Sequence, residues 1–125
     1  MKEIDKHSAA MLRCFMLSKE LVAASTVPLV LSVLSEGENY GYALIQRVRE
    51  LSGGHIEWTE GMLYPVLHRL EAEGLIEAEW KEGESGRKRK YYRLTHPGKK
   101  AAQHERAQWL SVHETLDALW NPTPA

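Results

Sequence analysis

Four consecutive cations, Arg87-Lys88-Arg89-Lys90, follow the glycines Gly83 and Gly86. Cations on a flexible tip are suited to phosphates, and each phosphate neutralised on duplex DNA adds about 0.9 to the salt slope of binding. The same run on an edge strand also works as a solvated guard against edge-to-edge aggregation. A second group lies upstream. Tyr64 and His68 are four apart, so a helix stacks them one turn apart. Both can donate hydrogen bonds to phosphates or base edges. Gly61 precedes them and leaves room for close approach of a nucleic-acid backbone, and Arg69 follows them. Read alone, Tyr64 is equally a half-buried aromatic with its hydroxyl in water.

A third group is apolar. Trp109, His113, Leu116 and Trp120 recur at steps of four, three and four, flanked by Val112 and Leu119. One small domain cannot cover such a stripe, so a second chain is expected over it. Two copies of Trp109 near a dimer axis either fill the interface or form a slot for a flat ligand. In the second case Trp109, Val112, His113 and Leu116 are the candidate lining.

Catalytic patterns are weak. His104-Glu105 and His113-Glu114 resemble the start of a zinc-protease helix motif but lack its second histidine. No glycine-rich phosphate loop has the required spacing. Cys14 is the only cysteine, which excludes an internal disulfide and a Cys-based zinc site. No metal ligands and no cofactor are expected.

The chain has 125 residues, room for one small core, with 43% hydrophobic and 26% charged residues. The net charge of -1 hides an asymmetry. Residues 59–80 carry one basic and five acidic side chains, net -4, whereas residues 81–100 carry eight and two, net +6. The acidic window opposes phosphate binding by the segment holding Tyr64, and Glu60 is its most awkward member. The longest apolar stretch, residues 27–34, is far short of the about 20 residues that span a membrane. No targeting signal is evident, so a cytoplasmic protein without membrane contact is expected.

Periodicity places these groups on elements. Residues 5–35 read as helix, with Leu12, Phe15, Met16, Leu21, Val22, Leu29, Val30, Val33 and Leu34 at three- and four-residue steps. Pro28 interrupts it, giving either a kink near Ala24 or a fresh start capped by Ser25 or Thr26. Residues 1–25 are then an arm. Asn39 is expected to cap a second helix, residues 40–51, and Thr59 a third, residues 60–73, with Met62, Leu63, Val66, Leu67 and Leu70 buried. The period then changes to two. Residues 75–81 and 87–95 alternate around a turn at residues 82–86, which makes a hairpin with a basic return strand. Thr95 caps a last helix to Trp120, and residues 121–125 fray.

The order helix, helix, helix, hairpin, helix is the winged helix-turn-helix arrangement. The expected class is α+β, mostly α. Residues 26–95 form the DNA-binding domain between an N-terminal arm and a C-terminal dimerisation helix at residues 96–120. Leu12, Phe15, Met16, Trp109, Val112, Leu116, Leu119 and Trp120 are the expected dimer contacts. Tyr64, His68, Gly61, Arg69, Gly86, Arg87, Lys88, Arg89 and Lys90 are the expected DNA contacts. An alternative is a dimeric ligand-sensing or protein-interaction module that does not bind DNA.

Three segments carry a resemblance. Tyr40-Gly41-Tyr42-Ala43-Leu44-Ile45, the run from Glu60 through Leu63-Tyr64-Pro65 to Ile76, and Gly86-Arg87-Lys88-Arg89-Lys90-Tyr91-Tyr92-Arg93-Leu94-Thr95 resemble the PadR-like transcriptional regulators across roughly residues 20–120. The resemblance implies a homodimeric repressor that binds a palindromic operator through its third helix and wing. It implies dimerisation through the C-terminal helix, helped by the N-terminal one. With one helix after the wing, the chain is similar to the short subfamily. In multidrug-sensing members of that subfamily a tryptophan on the last helix sandwiches flat drugs, and Trp109 falls at the matching place. The arm before residue 20 is longer than in those members, and His113 and Trp120 reshape the slot.

Overall fold

The computed structural model describes residues 17–124. Leu12, Phe15 and Met16 lie outside the described residues. So does Cys14.

The first helix, α1 (Lys19–Ser35), starts at Ser18, whose hydroxyl accepts the Leu21 N–H at 3.1 Å. Leu17 and Ser18 are not helical, so of the helix expected over residues 5–35 the described part begins only at Lys19. Pro28 starts no new helix. The Ser25 and Thr26 hydroxyls, expected as caps, donate to the Val22 carbonyl at 3.0 and 2.7 Å inside one continuous α1. Burial decides this. Val30, Leu31, Val33 and Leu34 all sink into the core and offset the hydrogen bond that Pro28 cannot make. The expected boundary between residues 25 and 26 thus falls within α1.

Asn39 caps nothing. Its side-chain oxygen accepts the Tyr40 N–H, and the two residues form a short strand, β1 (Asn39–Tyr40). The helix after it, α2 (Gly41–Leu51), has no side-chain cap and is held instead by buried Leu44 and Val48. Trp58, only 4% exposed, closes the core between α2 and the next helix. That helix, α3 (Glu60–Ala72), is capped as expected: the Thr59 hydroxyl accepts the Met62 N–H at 3.2 Å. Leu63, Leu67 and Leu70 are buried, but Met62 is exposed and Val66 half-buried. At 100° per residue the two sit on one flank of the buried stripe, Met62 farther out than Val66.

Two antiparallel strands follow, β2 (Ile76–Glu82) and β3 (Lys88–Leu94). The sheet order β1-β3-β2 makes β2 an edge strand. Register pairs Ile76 with Leu94, Ala78 with Tyr92 and Trp80 with Lys90. Ile76 and Tyr92 are buried over the helices, while Trp80 extends beyond them and is exposed. Gly86 turns the tip at φ +77°. The last helix, α4 (His96–Trp120), begins where the Thr95 hydroxyl accepts the Gly98 N–H at 3.1 Å and donates to the Gly74 carbonyl at 2.6 Å. Its first turns pack on α1 and bury Ala102, and every residue from Arg106 to Trp120 is exposed in the single chain. The architecture is a mostly helical winged helix-turn-helix.

Candidate nucleic-acid interface

One groove of about 640 Å³ lies between α3 and the wing. Its walls bring Tyr64 and His68 together with Arg87, Lys88, Arg89 and Lys90. Thr59 sets the phase of α3, so its leucines face inward and Tyr64 and His68 face the groove. The Tyr64 hydroxyl lies against the first residue of α2: a Cβ built on Gly41 would stand 2.9 Å from it. Gly41 therefore permits the approach that fixes the phenol, a role that sequence reasoning missed because the two residues are 23 apart.

The wing cations divide by strand alternation and by partner. Arg89 stacks over the Tyr40 ring at 4.3 Å, and Tyr40 meets Tyr91 edge-on with ring centroids 5.4 Å apart. Lys90 stands 3.7 Å from the Glu71 carboxylate and over the Tyr92 ring. Arg87 and Lys88 have neither an ion pair nor an aromatic partner among the described residues.

The acidic window is largely neutralised. Glu77 and Glu79 both accept from the Arg93 guanidinium at 2.9 Å, which raises the already high pKa of Arg93. Glu71 faces Lys90, and Glu73 pairs with Arg69 at 3.6 Å. Lys81 is held by Glu38, and the bond raises its pKa. Of the five carboxylates in residues 59–80, Glu60 alone has no ion pair among the described residues, and it lines the groove. Tyr92 forms part of the groove floor, and burial first, then the neighbouring Tyr64 and Glu71, pushes its hydroxyl up to about 12. It stays a neutral phenol.

Not every expected residue reaches the groove lining. Arg69 is turned away and occupied by Glu73, because position 69 lies a further 100° around α3 from His68. Gly86 sits at the turn beyond the lining. Gly61 is exposed beside Glu60, and a Cβ there would meet nothing closer than the Thr59 hydroxyl at 3.8 Å. Trp80 and Tyr42 line the groove and were not anticipated there. For Trp80 the signal was available: it is the one apolar residue of its face that reaches past the helices.

A second surface lies between α1 and α4, an apolar groove of about 500 Å³. Leu21, Pro28 and Leu29 face Trp109, Leu110 and His113 across it. Val112 and Leu116, expected beside Trp109, are outside its lining. Val112 is on the flank of α4, and Leu116 is two turns farther along.

The model of the transcriptional regulator PadR-like family matches residues 30–104. This chain belongs to the PadR-like family. A transcriptional regulator of Mycobacterium tuberculosis is 39% identical over 77 residues, 62% of this chain and 68% of its own. The crystal structure of a PadR-like transcriptional regulator from Bacillus cereus is 28% identical, with a TM-score of 0.74 over 84% of this chain and 100% of that one. That of a PadR family transcriptional regulator from Eggerthella lenta is 34% identical, with a TM-score of 0.65 over 95% and 96%. As a PadR-like regulator the protein is not an enzyme, which removes the hydrolase reading of His104-Glu105. No helix among the described residues is long and apolar enough to cross a membrane.

Proposed function

We propose that this PadR-like regulator binds duplex DNA with the groove between α3 and the wing. In this reading it acts as a homodimeric cytoplasmic repressor on a palindromic operator. A flat aromatic or apolar effector, held near Trp109 and His113, relieves it. One observation carries the DNA reading: Tyr64, His68 and the two wing cations without partners among the described residues, Arg87 and Lys88, line a single groove. Two-fold symmetry then presents two such grooves about one DNA turn apart. For the effector, the support is the apolar groove that holds Trp109 and His113.

Salt dependence tests the wing. Replacing Arg87 and Lys88 together by alanine lowers affinity for duplex DNA and reduces the salt slope by about 1.8 per protomer. Unchanged affinity and slope remove the wing from DNA binding. Glu60 in the groove favours a second reading, a ligand-sensing module without DNA contact. Absence of any duplex binding by the unaltered protein at 50 mM salt selects that reading.

A further inference from the structure

We propose that Trp80 is an apolar DNA-contacting residue, whose indole packs against deoxyribose and base edges where the wing meets the duplex. The inference rests on the groove being the DNA-binding face.

Trp80 is 65% exposed on the edge strand β2. It lines the groove that holds Tyr64, His68, Arg87 and Lys88. The other tryptophans have different surroundings: Trp58 is in the core, and Trp109 and Trp120 belong to the exposed apolar face of α4. The cross-strand partner of Trp80 is Lys90, which turns to Glu71 and the Tyr92 ring and leaves the indole bare. Register places Lys88 opposite Glu82, on the same face of the ribbon as Trp80.

A large bare aromatic on an edge strand invites strand-to-strand association. Duplex DNA fits this one better. Its phosphates match Arg87 and Lys88, while the sugars and base edges between the phosphates give an indole an apolar wall or a step to wedge into. The two chemistries differ in salt dependence. Cations release counterions, and an indole releases none.

The test uses the full-length protein, a 30-base-pair mixed-sequence duplex and fluorescence anisotropy at several salt concentrations, with Trp80→Ala and Trp80→Phe. The exposed position leaves the core intact in both variants, and their unfolding midpoints verify this. Trp80→Ala weakens binding about tenfold at every salt concentration and leaves the slope unchanged, and Trp80→Phe recovers most of the affinity. In the unaltered protein, duplex shields the part of the emission lost in Trp80→Phe from acrylamide. Affinity of Trp80→Ala within twofold of the unaltered protein overturns the assignment, and so does a loss confined to the salt slope. An unaltered protein that fails to bind the duplex overturns the DNA reading itself and this inference with it.

Discussion

Gly61 and Gly41 illustrate two different reasons for a glycine. A side chain on Gly41 collides with the Tyr64 hydroxyl, so the demand comes from inside the molecule. At Gly61 nothing inside makes that demand: φ is not positive and the space is open. Glycine costs up to about 1 kcal/mol relative to alanine in a helix interior, and in the proposed DNA reading Gly61, beside the groove, leaves room for an approach from outside. Gly61→Ala therefore leaves thermal stability equal or higher while weakening duplex binding several-fold. Thermal melts and anisotropy on the same preparation check this, and equal or tighter binding contradicts it. At this scale the sequence was readable where spacing alone places a side chain. Tyr64 and His68 share a face because they are four apart. Arg69 looked equivalent, but its nearest carboxylate, Glu73, occupies it, and that depends on rotamers that no spacing reveals.

The elements were legible in proportion to their periodicity. The helical stripe of α3 and the alternation of β2 and β3 were plain, and so were the caps Thr59 and Thr95. β1 was not, because two residues, Asn39 and Tyr40, cannot alternate; only pairing with Tyr92 and Tyr91 makes them a strand. The course of α1 through Pro28 was also unreadable locally, since burial of four residues beyond it settles the matter. The acidic window looked hostile to DNA until the fold gave four of its five carboxylates a cation, a consequence of strand register and helix packing. Gly98 shows how tightly the last two elements are joined. A Cβ there would stand 1.8 Å from the Leu75 carbonyl oxygen, which is itself fixed by accepting the Thr95 N–H at 3.1 Å. Neither backbone can yield, so Gly98→Ala destabilises the fold by about 3 kcal/mol. Urea denaturation measures this, and an unchanged midpoint contradicts the packing of α4 on the start of β2.

For the whole molecule, the decisive feature is the far half of α4. Leu119 and Trp120 are 73% and 68% exposed, and Val112 and Leu116 are exposed as well. The periodicity of residues 109–120 already announced such a face, and the described residues of one chain leave it uncovered. Placing glutamate at Leu116 and Leu119 together is expected to yield a monomer in sedimentation equilibrium and to weaken binding to a palindromic duplex roughly a hundredfold, because two linked half-site contacts become one. A stable dimer in that variant moves the interface elsewhere. In the proposed function one groove, bounded by α3 and the wing, receives the DNA. Titrating an isotopically labelled protein with duplex and following its backbone amides by NMR tests it most directly. The largest shifts are expected at residues 60–68 and 80–90. Largest shifts on the outer face of α4, with those two segments unmoved, would contradict it.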